Sequence, residues 1–360
     1  MIQHIHFIGF GLMASSLSAA IRRSHPAIRL TAESADDGAG FGVEKAILDS
    51  ALTVEGISHP DSCLVIIATP VTVISKELQR LNALGYPGWI TDIGSVKSSF
   101  HGQAGSLGLK YFGGHPMTGS EKQSARHFNP VMYENAVYVL TPPVNGDWDI
   151  LNDFERLLQS VGALPLILEP AIHDEIAATI SHLPQLLAVA LVGFVAAHQK
   201  DNPAYLQLAA GGFRDMTRIA SSPEGIWKDI LSANRPVIQQ KLSGFIRFLS
   251  GMEQQLETGD LTDLMKRFSE ARFTRDSIPR NTKGFIHPLF DLMVLVEDQP
   301  GVIFTMSKLL YENGINIRDM ELIKVREGLQ GAFRLSFSTE TDWTRANQLL
   351  NENGFQSQRL

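Results

Sequence analysis

One cysteine, Cys63, occurs in 360 residues, so the chain cannot close an internal disulfide. Cys63 falls inside the apolar run CLVIIATP, where a thiol behaves as a small hydrophobe. A reducing compartment is expected, and with no charged stretch and apolar core following Met1, a cytoplasmic one. Charge is also scarce. Charged residues make up 19% of the chain, against about 25% in an average globular protein. The net charge of −7 lacks the basic excess of a nucleic-acid binder. The longest apolar stretch, residues 186–197, is shorter than the roughly 20 residues of a membrane span, so neither a nucleic acid nor a membrane is an expected partner. Repeats and low-complexity segments are missing too. What is present is ordinary for a globular protein: 44% hydrophobic residues, 30 glycines and 17 prolines. At this length more than one domain is expected, because single cores stop growing at roughly 250–300 residues.

Three regions differ in pattern. Residues 1–170 alternate short β-branched runs with helical stretches, the pattern of a doubly wound, mostly parallel α/β sheet. Strands are expected at residues 5–8, 29–32, 64–68, 89–93, 111–112, 137–140 and 164–167. Residues 171–280 lose the strand pattern and take up 3.6-residue periodicity, which predicts an all-helical domain. The punctuated stretch TRDSIPRNTKGFIHP reads as a linker. Residues 288–360 read as a small βαββαβ unit.

The first region opens with HIHFIGFGLMASSL, a G-x-G-x-x-A arrangement between strand and helix. Gly9 allows a tight turn, Gly11 lets backbone approach a pyrophosphate, and Ala14 lets helix and strand pack closely. Phe10, Leu12 and Met13 complete the loop. The next strand ends in Glu33, placed to accept hydrogen bonds from ribose hydroxyls and to repel a 2′-phosphate. No arginine follows it at once, which favours NAD, with NADP the alternative; Glu33 can equally be a solvated loop acid. Ligands of such sheets lie at the carboxyl ends of the strands. There the chain places Thr69 and Pro70, then Gly94, Ser95 and Lys97, then GGHPMTGSE with His115. Singly these are a helix cap, a solvated charge and a polar residue in a glycine turn; together they suggest a site.

The helical region adds two features. In GGFRDMTRIASSPEGIWKDI, Phe213, Met216 and Ala220 share one helical face, while Arg214 and Arg218 share another, where they need an anion: Asp215 or a bound carboxylate. In SHLPQLLAVALVGF, His182 and Gln185 are three apart on one face, and Pro184 breaks the helix beside them. His173, nine residues before His182, falls on the opposite face of an uninterrupted helix and is not expected to join it.

These stretches in order, GFGLMASSL, TDIGSVKSSF, GGHPMTGSE, HDEIAATISHLPQ and GGFRDMTRIASSPEGIWKDI, resemble the motif set of the prephenate dehydrogenase family, and LMVLVEDQPGVIFTMSKLLYENGINIRDMEL resembles an ACT domain. The resemblance implies a Rossmann domain, an all-helical domain that dimerises, and a ferredoxin-like ACT unit. It implies oxidative decarboxylation of prephenate, or of its amino analogue arogenate, with NAD or NADP, on the route to tyrosine, with no metal. By the same resemblance His115 is the base for the substrate's C4 hydroxyl, and Ser95 orients His115 and touches the nicotinamide. Arg218 binds the ring carboxylate, His182 lines the pocket, and Arg214 and Lys97 add positive field. Asp298, Gly301 and Asn316 would hold a regulatory amino acid, with tyrosine the expected inhibitor. Family members often read SHLPH where this chain has SHLPQ. Gln185 would then donate to prephenate's keto oxygen or accept from arogenate's ammonium by flipping its amide. Two rivals remain: a β-hydroxyacid dehydrogenase-type enzyme, which needs neither GGHP nor an ACT unit, and a non-catalytic amino-acid sensor.

Overall fold

The computed structural model describes residues 2–359 apart from 120, 121, 123, 200, 201, 203, 260, 279–288, 298 and 327–329. It divides into two compact units, Met1–Phe268 and Ser269–Leu360.

The first unit is built on five parallel strands: β1 (His4–Ile8), β2 (Arg29–Glu33), β3 (Ser50–Ala51), β4 (Cys63–Ile67) and β5 (Trp89–Asp92). Their order is β3-β2-β1-β4-β5. β1 and β4 are buried along their whole length, as expected of strands covered on both faces. The crossovers are helical: α1 (Leu12–Ser24), α2 (Gly38–Glu44) and α3 (Val71–Ala83). The order reverses at β1, so a crevice opens beyond the carboxyl ends of β1 and β4.

After α4 (Ser98–Ser106) the chain leaves the expected pattern. Residues 111–112 form only a single bridge, Ile90 to Tyr111. The strand comes later, as β6 (Gly114–Pro116), and starts a separate three-stranded sheet with β7 (Val137–Leu140) and β8 (Leu164–Ile167). β6 and β7 are antiparallel, β7 and β8 parallel, with α5 (Asp149–Ser160) between the last two. Tyr111 and Phe112 are fully buried, so the apolar signal at these positions is that of core side chains.

The chain continues in helices: α6 (Pro170–Ala177), a π-helical turn at Ala178–His182, α7 (Leu183–His198), α8 (Ala204–Gln207), α9 (Gly211–Thr217), α10 (Glu224–Ala233), α11 (Arg235–Thr258) and α12 (Thr262–Ser277). Residues 170–198 make one 29-residue rod, long and apolar enough to cross a bilayer by length and composition, although its longest uninterrupted apolar run is shorter. Ile172, Ile176, Ile180, Val189 and Phe194 lie exposed along it. The expected linker is shorter than its sequence suggests: α12 continues through Thr274–Ser277, and residues 279–288 lie outside the described residues.

The second unit is the expected βαββαβ: β9 (Phe290–Glu297), α13 (Val302–Glu312), β10 (Asp319–Arg326), β11 (Gln330–Phe337), α14 (Glu340–Glu352) and β12 (Gln356–Arg359). Its antiparallel sheet runs β10-β11-β9-β12 over a core that includes Leu292, Val294, Met306, Leu335 and Phe337.

Candidate active site

The turn after β1 is shaped for close approach. Gly9 has φ +87°, and a Cβ there would lie 2.9 Å from the Ala68 carbonyl oxygen. Gly11 caps α1 without a side-chain hydrogen bond, and no acid stands in the first turn, so amide donors at the helix start face outward. Ala14 is buried against the sheet. Phe10 and Leu12 turn their side chains into the core, so they offer a ligand only backbone. Met13 is half-buried, and Tyr133 donates to its carbonyl at 3.0 Å. Thr69, beside Gly9, has a buried hydroxyl without a partner among the described residues, and Pro70 next to it is exposed. A cradle with no room for a Cβ, free helix-start amides and an orphaned hydroxyl fit a dinucleotide.

Glu33 is not a free loop acid. Arg80 of α3 donates to it through two nitrogens, at 2.6 and 3.2 Å, and the Val54 amide adds a third hydrogen bond at 3.2 Å. Arg80 also pairs with Glu55 and Glu77, so three carboxylates surround one guanidinium. An arginine therefore does stand beside Glu33, supplied by a helix 47 positions away.

His115 projects from β6, whose Gly114 packs against the end of β5: a Cβ there would lie 2.5 Å from the Asp92 carbonyl oxygen. Gly113 is equally hemmed in, its Cβ position being 2.8 Å from Lys97 Cδ. Beneath them lies a buried cluster. The Lys97 ammonium donates to Asp92 and to the Gly114 carbonyl, at 2.6 Å for the latter, and the Tyr111 hydroxyl donates to the other Asp92 oxygen. Lys97 is fully buried, with its ammonium committed to Asp92 and the Gly114 carbonyl. Its charge acts on His115.

The ring of His115 is held by a residue the helical pattern did not bring here. His115 Nδ1 lies 2.8 Å from His173 Nε2, and His173 Nδ1 lies 2.8 Å from Asp174 Oδ1. Asp174 accepts the Lys97 and Ser98 backbone amides at 2.8 and 2.9 Å. Burial raises its carboxyl, but hydrogen bonds from His173, Ser98 and Lys97 outweigh that and hold it below the usual range. His115 is pushed well below the ordinary histidine value, first by burial, then by the charges of His173, Lys97 and His182. It is neutral at pH 7. Ser95 is half-buried in the turn after β5, and among the described residues the hydrogen-bond partner of the His115 ring is His173 rather than Ser95.

His182 joins the same buried group. Asn234 of α11 donates to the Asp174 carbonyl at 2.9 Å and towards His182 Nδ1 at 3.4 Å, and Trp227 meets the His182 ring edge-on at 6.2 Å. Burial lowers His182 to about 4. The π-turn explains why His173 and His182 belong to one buried group. One extra residue in a turn rotates the remainder of the helix by about 100°, which brings opposite faces to within a quarter-turn.

Gln185 is 4% exposed, and its amide nitrogen donates to the Ile219 carbonyl at 3.0 Å. A carbonyl can only accept, so this amide is not free to flip, contrary to the expectation from sequence. It ties α7 to the 3₁₀ turn Arg218–Ser221. Arg214 and Arg218 are exposed, and among the described residues neither pairs with Asp215. Met216, expected on a packed face, is 70% exposed.

In the second unit, Gly301 (φ +88°) starts α13 and lines a cavity of about 300 Å³ with Val296, Glu297, Gln299, Leu322 and Phe333. Asp298 lies outside the described residues, and Asn316 is exposed in the loop before β10 rather than in a strand. No cluster of metal-binding side chains occurs among the described residues.

Family models match in chain order: prephenate dehydrogenase, nucleotide-binding domain, over residues 17–166; prephenate dehydrogenase, dimerization domain, over 169–270; and ACT domain over 290–345. The chain is 33% identical over 352 residues to the prephenate dehydrogenase of Bacillus subtilis, covering 95% of this chain and 94% of that one. The crystal structure of the Aquifex aeolicus prephenate dehydrogenase in complex with hydroxyphenyl propionate and NAD+ superposes with a TM-score of 0.70 at 25% identity, over 77% of this chain and 99% of that one. The Synechocystis arogenate dehydrogenase structure gives 0.68 at 26% identity, over 76% and 99%. With both halves of the enzyme model in register and a third of its residues shared with a relative over nearly its whole length, the chain belongs to the prephenate dehydrogenase family of nicotinamide-dependent oxidoreductases and ends in an ACT domain.

Proposed function

We propose that the chain oxidatively decarboxylates prephenate with NAD, using His115 as the base, and that tyrosine regulates it through the second unit. The observation that carries this is the setting of His115: neutral, beside the crevice at the carboxyl end of β5, with no partner for Nε2 among the described residues. Nε2 takes the proton of the C4 hydroxyl as hydride leaves C4. The ring carboxylate then departs as carbon dioxide, and its bonding pair completes an aromatic ring. When bound, the nicotinamide supplies the hydride acceptor. Arg218, exposed and without a carboxylate partner among the described residues, is free to hold the ring carboxylate, and Arg214 adds charge nearby. His182 accepts from Asn234 at Nδ1, which leaves its Nε2–H as a donor.

Arogenate is the second candidate substrate, favoured by the Synechocystis likeness. NADH formation by the purified chain with each substrate tests the choice. His115→Asn is expected to retain NAD binding and lose about 100-fold or more in kcat. Near-normal turnover in that variant removes His115 from the mechanism. The exposed apolar side of the 170–198 rod and the dimerization-domain match support a homodimer. The cavity at Gly301 supports an amino-acid site.

A further inference from the structure

We infer that His173, oriented by Asp174, is the positioning residue for the base: it fixes the tautomer of His115 and shares the positive charge that His115 gains during turnover. The inference rests on His115 being the base. Asp174 is a carboxylate and can only accept, so the proton between it and His173 lies on His173 Nδ1. A singly protonated His173 then has its lone pair on Nε2, which faces His115 Nδ1 at 2.8 Å. His115 must therefore carry its own proton on Nδ1 and present an unprotonated Nε2 to the substrate. This is the tautomer a general base needs, and buried hydrogen bonds set it before any ligand arrives.

The same chain answers a second need. Burial and nearby positive charge disfavour protonation of His115, yet catalysis requires it to accept a proton for a moment. As Nε2 gains the substrate proton, the Nδ1 proton shifts towards His173 Nε2. The charge is thereby spread over two rings and towards Asp174, with no net proton lost and no oxidant or reductant involved. Asp174 is itself immobile: the amides of Lys97 and Ser98 grip its two oxygens, and Asn234 holds its backbone carbonyl. These links join residues 97–98, 115, 173–174 and 234, four segments far apart in sequence, so the arrangement exists only in the folded unit.

Two substitutions of His173 separate this role from mere packing. His173→Gln places an amide oxygen near the position of Nε2, where it can accept from His115 but cannot take a proton. His173→Asn places its amide near Nδ1, where it keeps the Asp174 partner and loses His115. The expected order of kcat is wild type, then Gln within about tenfold, then Asn down by about 100-fold, with KM for substrate and NAD changed less than about threefold. The acid limb of the kcat profile should move to lower pH in the Asn variant, because the imidazolium of His115 loses its acceptor. Adding His173→Asn to His115→Asn should cost less than about a further twofold. A purely structural role predicts the reverse order, Asn above Gln. That order, or both variants within about threefold of wild type, or an equal loss in the two backgrounds, overturns the inference. Retained turnover in His115→Asn alone would instead overturn the assignment of the base.

Discussion

Glu33 is the side chain on which the proposed preference for NAD turns. It ends β2, where the glycine motif leads one to expect a ribose, and it keeps Arg80 engaged through two hydrogen bonds. A 2′-phosphate would meet Glu33, Glu55 and Glu77 around one guanidinium, a local excess of negative charge. Glu33→Ser removes one carboxylate and frees part of Arg80 for a phosphate. The ratio of kcat/KM for NADP over NAD is expected to rise by about 10- to 100-fold, the combined worth of one new charge-assisted hydrogen bond and one relieved repulsion. An unchanged ratio would mean that Arg80 stays bound by Glu55 and Glu77. The residue scale is also where sequence reading is weakest. Arg80 lies 47 positions from Glu33, and Lys97 has the look of a surface charge until Asp92 and the Gly114 carbonyl are seen around it. Neither adjacency leaves a local signal, because both are made by strands and helices meeting in three dimensions.

At the scale of elements, the π-turn at Ala178–His182 decides which side chains reach the site. It keeps His173 and Asp174 on the inner side of α6 while bringing His182 and Gln185 in from α7. Deleting Ile180, which is 62% exposed, would restore the ordinary phase and swing α7 by about 100°. That deletion is expected to lower the melting temperature and abolish NADH formation, whereas Ile180→Ala, which leaves the phase alone, should do neither. Equal activity in the two variants would show that the turn is incidental. The strands and the helical stretches were legible because their periods, two and 3.6, are written in apolar residues. The placing of His173 and His182 in one buried group was not, since one inserted residue leaves the composition of the rod untouched and changes only its phase. The motif GGHP was legible as a site, but the strand that carries it was expected at Tyr111 and Phe112, where large aromatics mark core rather than sheet.

For the molecule as a whole, buried histidines govern the response to acid. Burial lowers His4 to about 4 and His6 to about 3; both share the Thr31 hydroxyl, and His182 sits at about 4. In the unfolded chain each titrates near 6.5, so below that pH the unfolded state binds more protons and is favoured. The stability is complete above about pH 6.5 and is lost as pH falls towards 4, by about 1–2 kcal/mol for each histidine at about pH 5. Melting temperature should fall steeply between about pH 6.5 and 5, and His4→Gln with His6→Gln should flatten that slope; a flat profile in the unaltered chain would contradict the burial. The division after Phe268 suggests a second experiment. The Aquifex relative is matched over 99% of its length by 77% of this chain, so the first unit has a counterpart without the rest. Ending the chain at Ile278 should leave NADH formation intact and remove inhibition by tyrosine. Inhibition that persists and competes with substrate would place the feedback at the active site. The glycines at 113 and 114 bear on how such a protein can change over generations. Gly114 is closed to any side chain by the backbone of Asp92, and a Cβ at Gly113 would press on Lys97 and Thr141, so the two residues leading to His115 have little room for neutral drift. Change is admitted far more readily in the helical segment, where Arg214, Met216 and Arg218 stand exposed, so variation should gather there while the glycine turn records ancestry.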